Sequence, residues 1–102
     1  MLEHCMVLIL VLQTQAEQAE RGGLRPLFDA IRQVESGGRR AARNGNHYGP
    51  YQVNRRWWLD ACQAAGWKTV NRNFRADAAN PFICERLMFA YWFRFCPEAL
   101  AA

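Results

Sequence analysis

Residues 81–95 constrain this chain most, because among Pro-Phe-Ile-Cys-Glu-Arg-Leu-Met-Phe-Ala-Tyr-Trp-Phe-Arg-Phe only Glu85, Arg86 and Arg94 carry charge. Asn80 is a good helix cap and Pro81 suits a first helical position, so a helix is predicted to start there and to stop at Pro97. Its circumference is apolar nearly all round, which places such a helix in the middle of a core. A chain of 102 residues makes at most one domain and offers few elements to cover it. The expectation is that covering structure is missing from this polypeptide or comes from a partner. A membrane-surface helix would show a distinct charged face, and no apolar run reaches the roughly 20 residues of a membrane span.

Two other helices are legible. From about Leu24 to Ser36, the residues Leu24, Leu27, Phe28, Ile31 and Val34 recur at helical spacing, with Pro26 in the first turn and Gly37-Gly38 beyond the end. Asp29, Arg32, Gln33 and Ser36 form the solvated side. Asn54 can cap a helix running to about Ala65 and closed by Gly66, with Trp58, Cys62 and Ala65 along one side.

Glu35 departs from the solvated side of the first helix. It follows Ile31 by four residues and Phe28 by seven, so it projects from the apolar face in the final turn. Lost hydration and the negative end of the helix dipole both favour its neutral acid form. The alternative is a Glu at the edge of the stripe that reaches water or pairs with Arg39.

Arg39 to Tyr48 reads as a basic, Gly- and Asn-containing loop, followed by the turn signal Gly49-Pro50 and by alternation in Tyr51-Gln52-Val53-Asn54. Together these predict a short hairpin. Alternation leaves two orientations open: Tyr51 and Val53 inward with Gln52 and Asn54 toward a cleft, or the reverse.

The N-terminus contains an unbroken apolar run from Cys5 to Leu12, of signal-peptide length, with Thr14-Gln15-Ala16 as a small-x-small cleavage site. Residues 1–16 are therefore read as a signal peptide and 17–23 as a lead-in, although Met1-Leu2-Glu3-His4 lacks the usual positive charge; a buried N-terminal element is the alternative. A secreted or cell-envelope location follows from that reading. Net charge is +4, which draws a protein toward anionic cell-wall polymer or nucleic acid alike. No nucleic-acid motif accompanies Arg39, Arg40, Arg43, Arg55 and Arg56, so a nucleic-acid partner is not expected. Cys84 and Cys96 lie too far apart on one helix to bridge, which leaves Cys62 with either of them, or three buried thiols. No close Cys pair accompanies the isolated His4 and His47, so neither metal nor cofactor is expected.

Ile31-Arg32-Gln33-Val34-Glu35-Ser36-Gly37-Gly38, Gly49-Pro50-Tyr51-Gln52-Val53 and Trp58-Leu59-Asp60-Ala61, in that order, resemble the invertebrate-type, destabilase-like lysozymes and their bacterial relatives. The likeness spans roughly Leu24 to Leu100 and takes in the aromatic stretch Tyr91 to Phe95 before Cys96-Pro97. It implies a mainly α domain with a small β-hairpin, a lysozyme-like α+β fold over residues 24–102. It implies a glycosidase in which Glu35 donates a proton to the glycosidic oxygen of peptidoglycan or a related N-acetylated polysaccharide. Tyr51 and Gln52 would lie at the cleft, and Asp60 would be a structural helix residue. His47 and Tyr48 join the candidate substrate contacts because their loop must border the same groove. Trp57 and Trp58 could stack on sugar rings, with core packing favoured for Trp58.

The chain departs from the family pattern twice. Relatives carry an aspartate in the loop between the two motifs, whereas no carboxylate occurs here from Ser36 to Arg56. A two-carboxylate glycosidase needs its second acid roughly 5–9.5 Å from the first. Glu35 would then act alone as acid and base, as in lytic transglycosylases, or the module would bind sugar without cleaving it. Relatives also continue with a further helical stretch, so the resemblance implies a domain incomplete at its C-terminus.

Overall fold

The computed structural model of the protein describes residues 24–100, so the expected leader and lead-in at 1–23 lie outside the described residues. Helix α1 spans Arg25–Ser36, strands β1 and β2 are Arg43–Asn44 and His47–Tyr48, and helices α2, α3, α4 and α5 are Arg55–Ala65, Phe74–Ala79, Pro81–Phe95 and Pro97–Leu100. The domain is mainly helical with one small antiparallel hairpin, as expected.

Each helix boundary has a local cause. The Asn54 side chain accepts from Trp57 N at 2.8 Å and starts α2, while Gly66, at φ +74°, ends it. Asn80 accepts from Phe82 N and Ile83 N at the head of α4, where Pro81 needs no such bond. Pro97 stops α4 as predicted, but it also opens the short α5, since a proline is compatible with a helix's first turn. Helix α3 was not anticipated; Asn73, whose side chain accepts from Ala76 N at 2.9 Å, starts it.

The core is aromatic. Phe28 of α1 stacks on Trp92 of α4 at 5.6 Å between centroids, Trp57 of α2 meets Tyr91, and Trp58 meets Phe74 of α3. Trp57 and Trp58 are both buried, which makes them packing residues and removes them as sugar platforms. Burial of each such side chain contributes about 1.5–3 kcal/mol. Asp77 of α3 adds a polar tie, accepting from Trp58 Nε1 at 3.0 Å and from two nitrogens of Arg72 at 2.9 and 3.2 Å.

Two expectations about the faces of α1 need correction: Ser36, read as part of the solvated side, is buried, and Val34, read as part of the apolar stripe, is not. Val34 is 69 % exposed while Leu27, Phe28 and Ile31 are buried, because the inward stripe of α1 runs on through Glu35 instead. Helix α4, read as lacking full cover within this chain, buries one face: Cys84, Glu85, Leu87, Met88 and Trp92 face the core, whereas Phe82, Phe89 and Phe93 stand exposed on the opposite side. A helix can be apolar all round and still bury only one face when the layer beyond it is not provided by its neighbours.

The cysteines also pair differently from the expectation. Cys62 and Cys84 are free, buried thiols, and Cys96 is disulfide-bonded, so neither bridge proposed for Cys62 forms. Cys62 and Cys84 sit in the shared core of α2 and α4 as small apolar side chains.

Candidate active site

The end of α1 is fixed by three residues in succession. Gly37, at φ +66°, sends its N–H to Gln33 O, and Gly38 sends its own to Arg32 O, a Schellman closure that Cβ-bearing residues resist. Between them and Glu35 stands Ser36, buried, whose hydroxyl donates to Pro50 O at 2.7 Å and also approaches Arg32 O at 3.1 Å. One side chain therefore ties the helix terminus to the Gly-Pro turn. Glu35 is the neighbouring residue, half-buried, in the final helical turn.

The turn itself is tighter than a hairpin arm. Tyr48 and Val53 exchange backbone hydrogen bonds at 2.9 and 3.0 Å, and Gly49 to Gln52 form the loop between them. The predicted strand Tyr51–Asn54 shrinks to this single bridge at Val53. Gln52 adopts φ +52°, which breaks the alternation, and its side-chain amide donates to Gly49 O at 2.9 Å. The regular hairpin lies earlier, pairing Arg43 with Tyr48 and Asn44 with His47 across Gly45-Asn46. Its signal, Asn-Gly-Asn, was present inside the segment read as loop.

Gly49 has a special place in this geometry. At φ +84° it lies so close to the end of α3 that a Cβ would fall 1.8 Å from Ala78 O. Its N–H donates to Ala42 O at 2.8 Å, so the loop after α1, the turn and α3 converge on one backbone position.

The proposed contact residues separate into two groups. Tyr51 is fully buried and Gln52 nearly so, so neither side chain presents a face to a groove; the inward orientation holds for Tyr51 and Val53, and Gln52 is drawn into the turn. Tyr51 lies edge-on to Phe28 and donates its phenol to Glu85 Oε2 at 2.6 Å. Burial first, and then the bond to Glu85, raise the Tyr51 pKa, so it remains a phenol and acts as a donor. His47 and Tyr48 are half-buried on β2, with Asn54, also half-buried, just beyond the turn. Asp60 is exposed on α2, in keeping with a helix-surface residue.

Two features escaped the sequence reading. Glu85 is a buried carboxylate on α4 held by Tyr51 and by an ion pair to Arg25, whose own pKa rises chiefly through that hydrogen bond. A lone acid within an apolar helix was the signal for it. Phe28, Phe82, Glu85, Arg86 and Phe89 line a groove of about 500 Å³ above this pair. The second feature is Arg75 on α3, which joins Arg43 beside Tyr48. Among the described residues no group of His, Cys, Asp or Glu could hold a metal, and no helix is long and apolar enough to cross a membrane.

Comparison of the chain with protein-family models, with curated proteins and with solved structures found no match.

Proposed function

We propose that the chain is a lysozyme-type enzyme that cleaves the glycosidic bonds of peptidoglycan or a related N-acetylated glycan outside the cytoplasm, with Glu35 as general acid. The observation that carries this reading is the 2.7 Å bond from Ser36 to Pro50 O, which holds the Glu35 end of α1 against the Gly-Pro turn. Glu35 stands half-buried in the last turn of the helix, beside that turn, where a carboxylic acid is placed to serve a leaving-group oxygen as proton donor. The same arrangement of helix-borne acid beside a small β element is what the motif resemblance implies for a lysozyme-like fold.

A single-acid course is favoured over a two-carboxylate one. The hairpin and turn carry no carboxylate, Asp77 is engaged by Arg72 and Trp58, and Glu85 by Arg25 and Tyr51. Glu35 would protonate the glycosidic oxygen as the C1–O bond breaks. The resulting carboxylate would then take a proton from water, giving hydrolysis, or from the sugar's own 6-hydroxyl, giving an internal anhydro ring. Digesting purified peptidoglycan and weighing the products distinguishes the two, because the anhydro product is lighter by one water. Binding of the glycan without turnover, unchanged in Glu35→Gln, would instead establish a non-catalytic module.

A further inference from the structure

We propose that Arg40, Arg43 and Arg75 form an oxyanion-recognition pocket that grips an acidic substituent of the glycan polymer. This deepens the proposed function and rests on it for the identity of the polymer. The three side chains surround a cavity of about 210 Å³ whose walls include Tyr48, Gly49 and Ala79. That is below the roughly 300 Å³ at which pockets begin to enclose whole small-molecule ligands, so the cavity suits one charged group on a larger molecule.

The arginines are brought together by the fold. Arg40 lies on the segment leading into β1, Arg43 is the first residue of β1 and Arg75 is on α3, elements joined by the close approach of Gly49 to Ala78. The guanidinium groups of Arg43 and Arg75 sit over the Tyr48 ring at 5.0 and 4.2 Å from its centroid. Arg40 Nε donates to Ala79 O at 3.4 Å and Arg43 Nε to Gly45 O at 3.2 Å. Each guanidinium has five N–H donors, so these two bonds leave donors of Arg40 and Arg43 open to an incoming acceptor.

Among the described residues no counter-charge is supplied. The ion pairs among the described residues involve Arg25, Arg32 and Arg72, and no acidic side chain lines the cavity. Three like charges around one cavity repel, and an incoming oxyanion relieves that repulsion while accepting charge-assisted, fork-shaped hydrogen bonds. A second groove along Arg39 to Arg43 continues from the same loop, which gives a polymer a path past the pocket. Single-stranded nucleic acid is disfavoured because the Tyr48 ring, the aromatic side chain at the cavity, is already engaged by two guanidinium groups with which a base would compete.

The test is co-sedimentation of the full chain with insoluble cell wall, performed in a Glu35→Gln background so that cleavage does not enter the readout. Three wall preparations are compared: untreated, stripped of phosphate-bearing polymer, and with its carboxyl groups amidated. Arg43→Gln/Arg75→Gln should weaken binding to untreated wall about tenfold, and Arg40→Gln should weaken it in the same direction while leaving the Tyr48 contacts in place. The control Arg55→Gln/Arg56→Gln removes the same net charge from the start of α2 and should change binding less than twofold. Loss of the arginine dependence on amidated wall identifies a carboxylate, and its loss on stripped wall a phosphate. Equal weakening by the control, binding indifferent to both treatments, or tighter arginine-dependent binding to duplex DNA than to wall would overturn the proposal. If Glu35→Gln proves as active as the parent while the arginine-dependent binding persists, the catalytic reading fails and the pocket stands.

Discussion

Gly49→Ala isolates the contact on which the site geometry depends. The substitution carries two costs that can be separated by a control. Placing an L-residue at φ +84° costs about 1–2 kcal/mol, the penalty of left-handed backbone. The new Cβ also lies 1.8 Å from Ala78 O and 2.6 Å from Ala78 C, which are backbone atoms that cannot rotate away. Forcing them apart adds about 1–3 kcal/mol by analogy with overpacked cores. The total is about 2–5 kcal/mol. Gly66→Ala provides the reference, because Gly66 has φ +74° but no atom within 4 Å of its Cβ position, so only the backbone penalty applies. Urea unfolding at 25 °C, followed by tryptophan fluorescence, should show Gly49→Ala less stable than Gly66→Ala by about 1–3 kcal/mol. Thermal midpoints should separate accordingly, at roughly 4–8 °C per kcal/mol for a domain near this size. Equal losses in the two variants would refute the close approach of the turn to α3, and with it the convergence that builds the arginine pocket.

Tyr51→Phe removes the donor to Glu85 and leaves a buried carboxylate one bond short, so it should cost about 1.5–3 kcal/mol in urea unfolding; a loss below about 0.5 kcal/mol would show that the bond is not made. The two free thiols give a pH test. Burial raises Cys62 from the usual 9.0 to about 11 and Cys84 to about 12, so the unfolded chain ionises first. Their contribution to stability is fully present below pH 9 and is lost as pH rises through 11 to 12. Replacing both by Ala should flatten the stability profile between pH 9 and 11, and unchanged slopes would contradict it. At pH 8, a thiol reagent should label both cysteines only as fast as the protein opens.

Helix boundaries were legible wherever a side chain or a missing one enforces them locally. Asn54, Gly66, Asn80 and Pro81 each act within a few residues, and the elements they bound formed as read. The inward placement of Glu35 was likewise readable from its spacing to Ile31 and Phe28, and it is half-buried. What was lost depended on distant partners. Gln52 looked like one position of an alternating strand, but its conformation is set by closure onto Gly49. Tyr51 was assigned to a groove, whereas its environment is decided by Glu85, 34 residues away. That α4 would lack cover was readable from its composition, but which face stays exposed was not, because circumference alone does not say which neighbours reach it. Glu85 and Arg75 were passed over for the same reason: each acquires meaning only when the Gly49 turn brings separate segments together.

The most direct measurement is the initial rate of glycan release from purified peptidoglycan by the parent chain and by Glu35→Gln, with thermal midpoints recorded for both. General acid catalysis contributes about 10²–10⁴-fold, so the variant should lose at least a hundredfold in rate while its midpoint stays within a few degrees of the parent. A variant that releases glycan as fast as the parent would contradict the assignment of Glu35 as the proton donor.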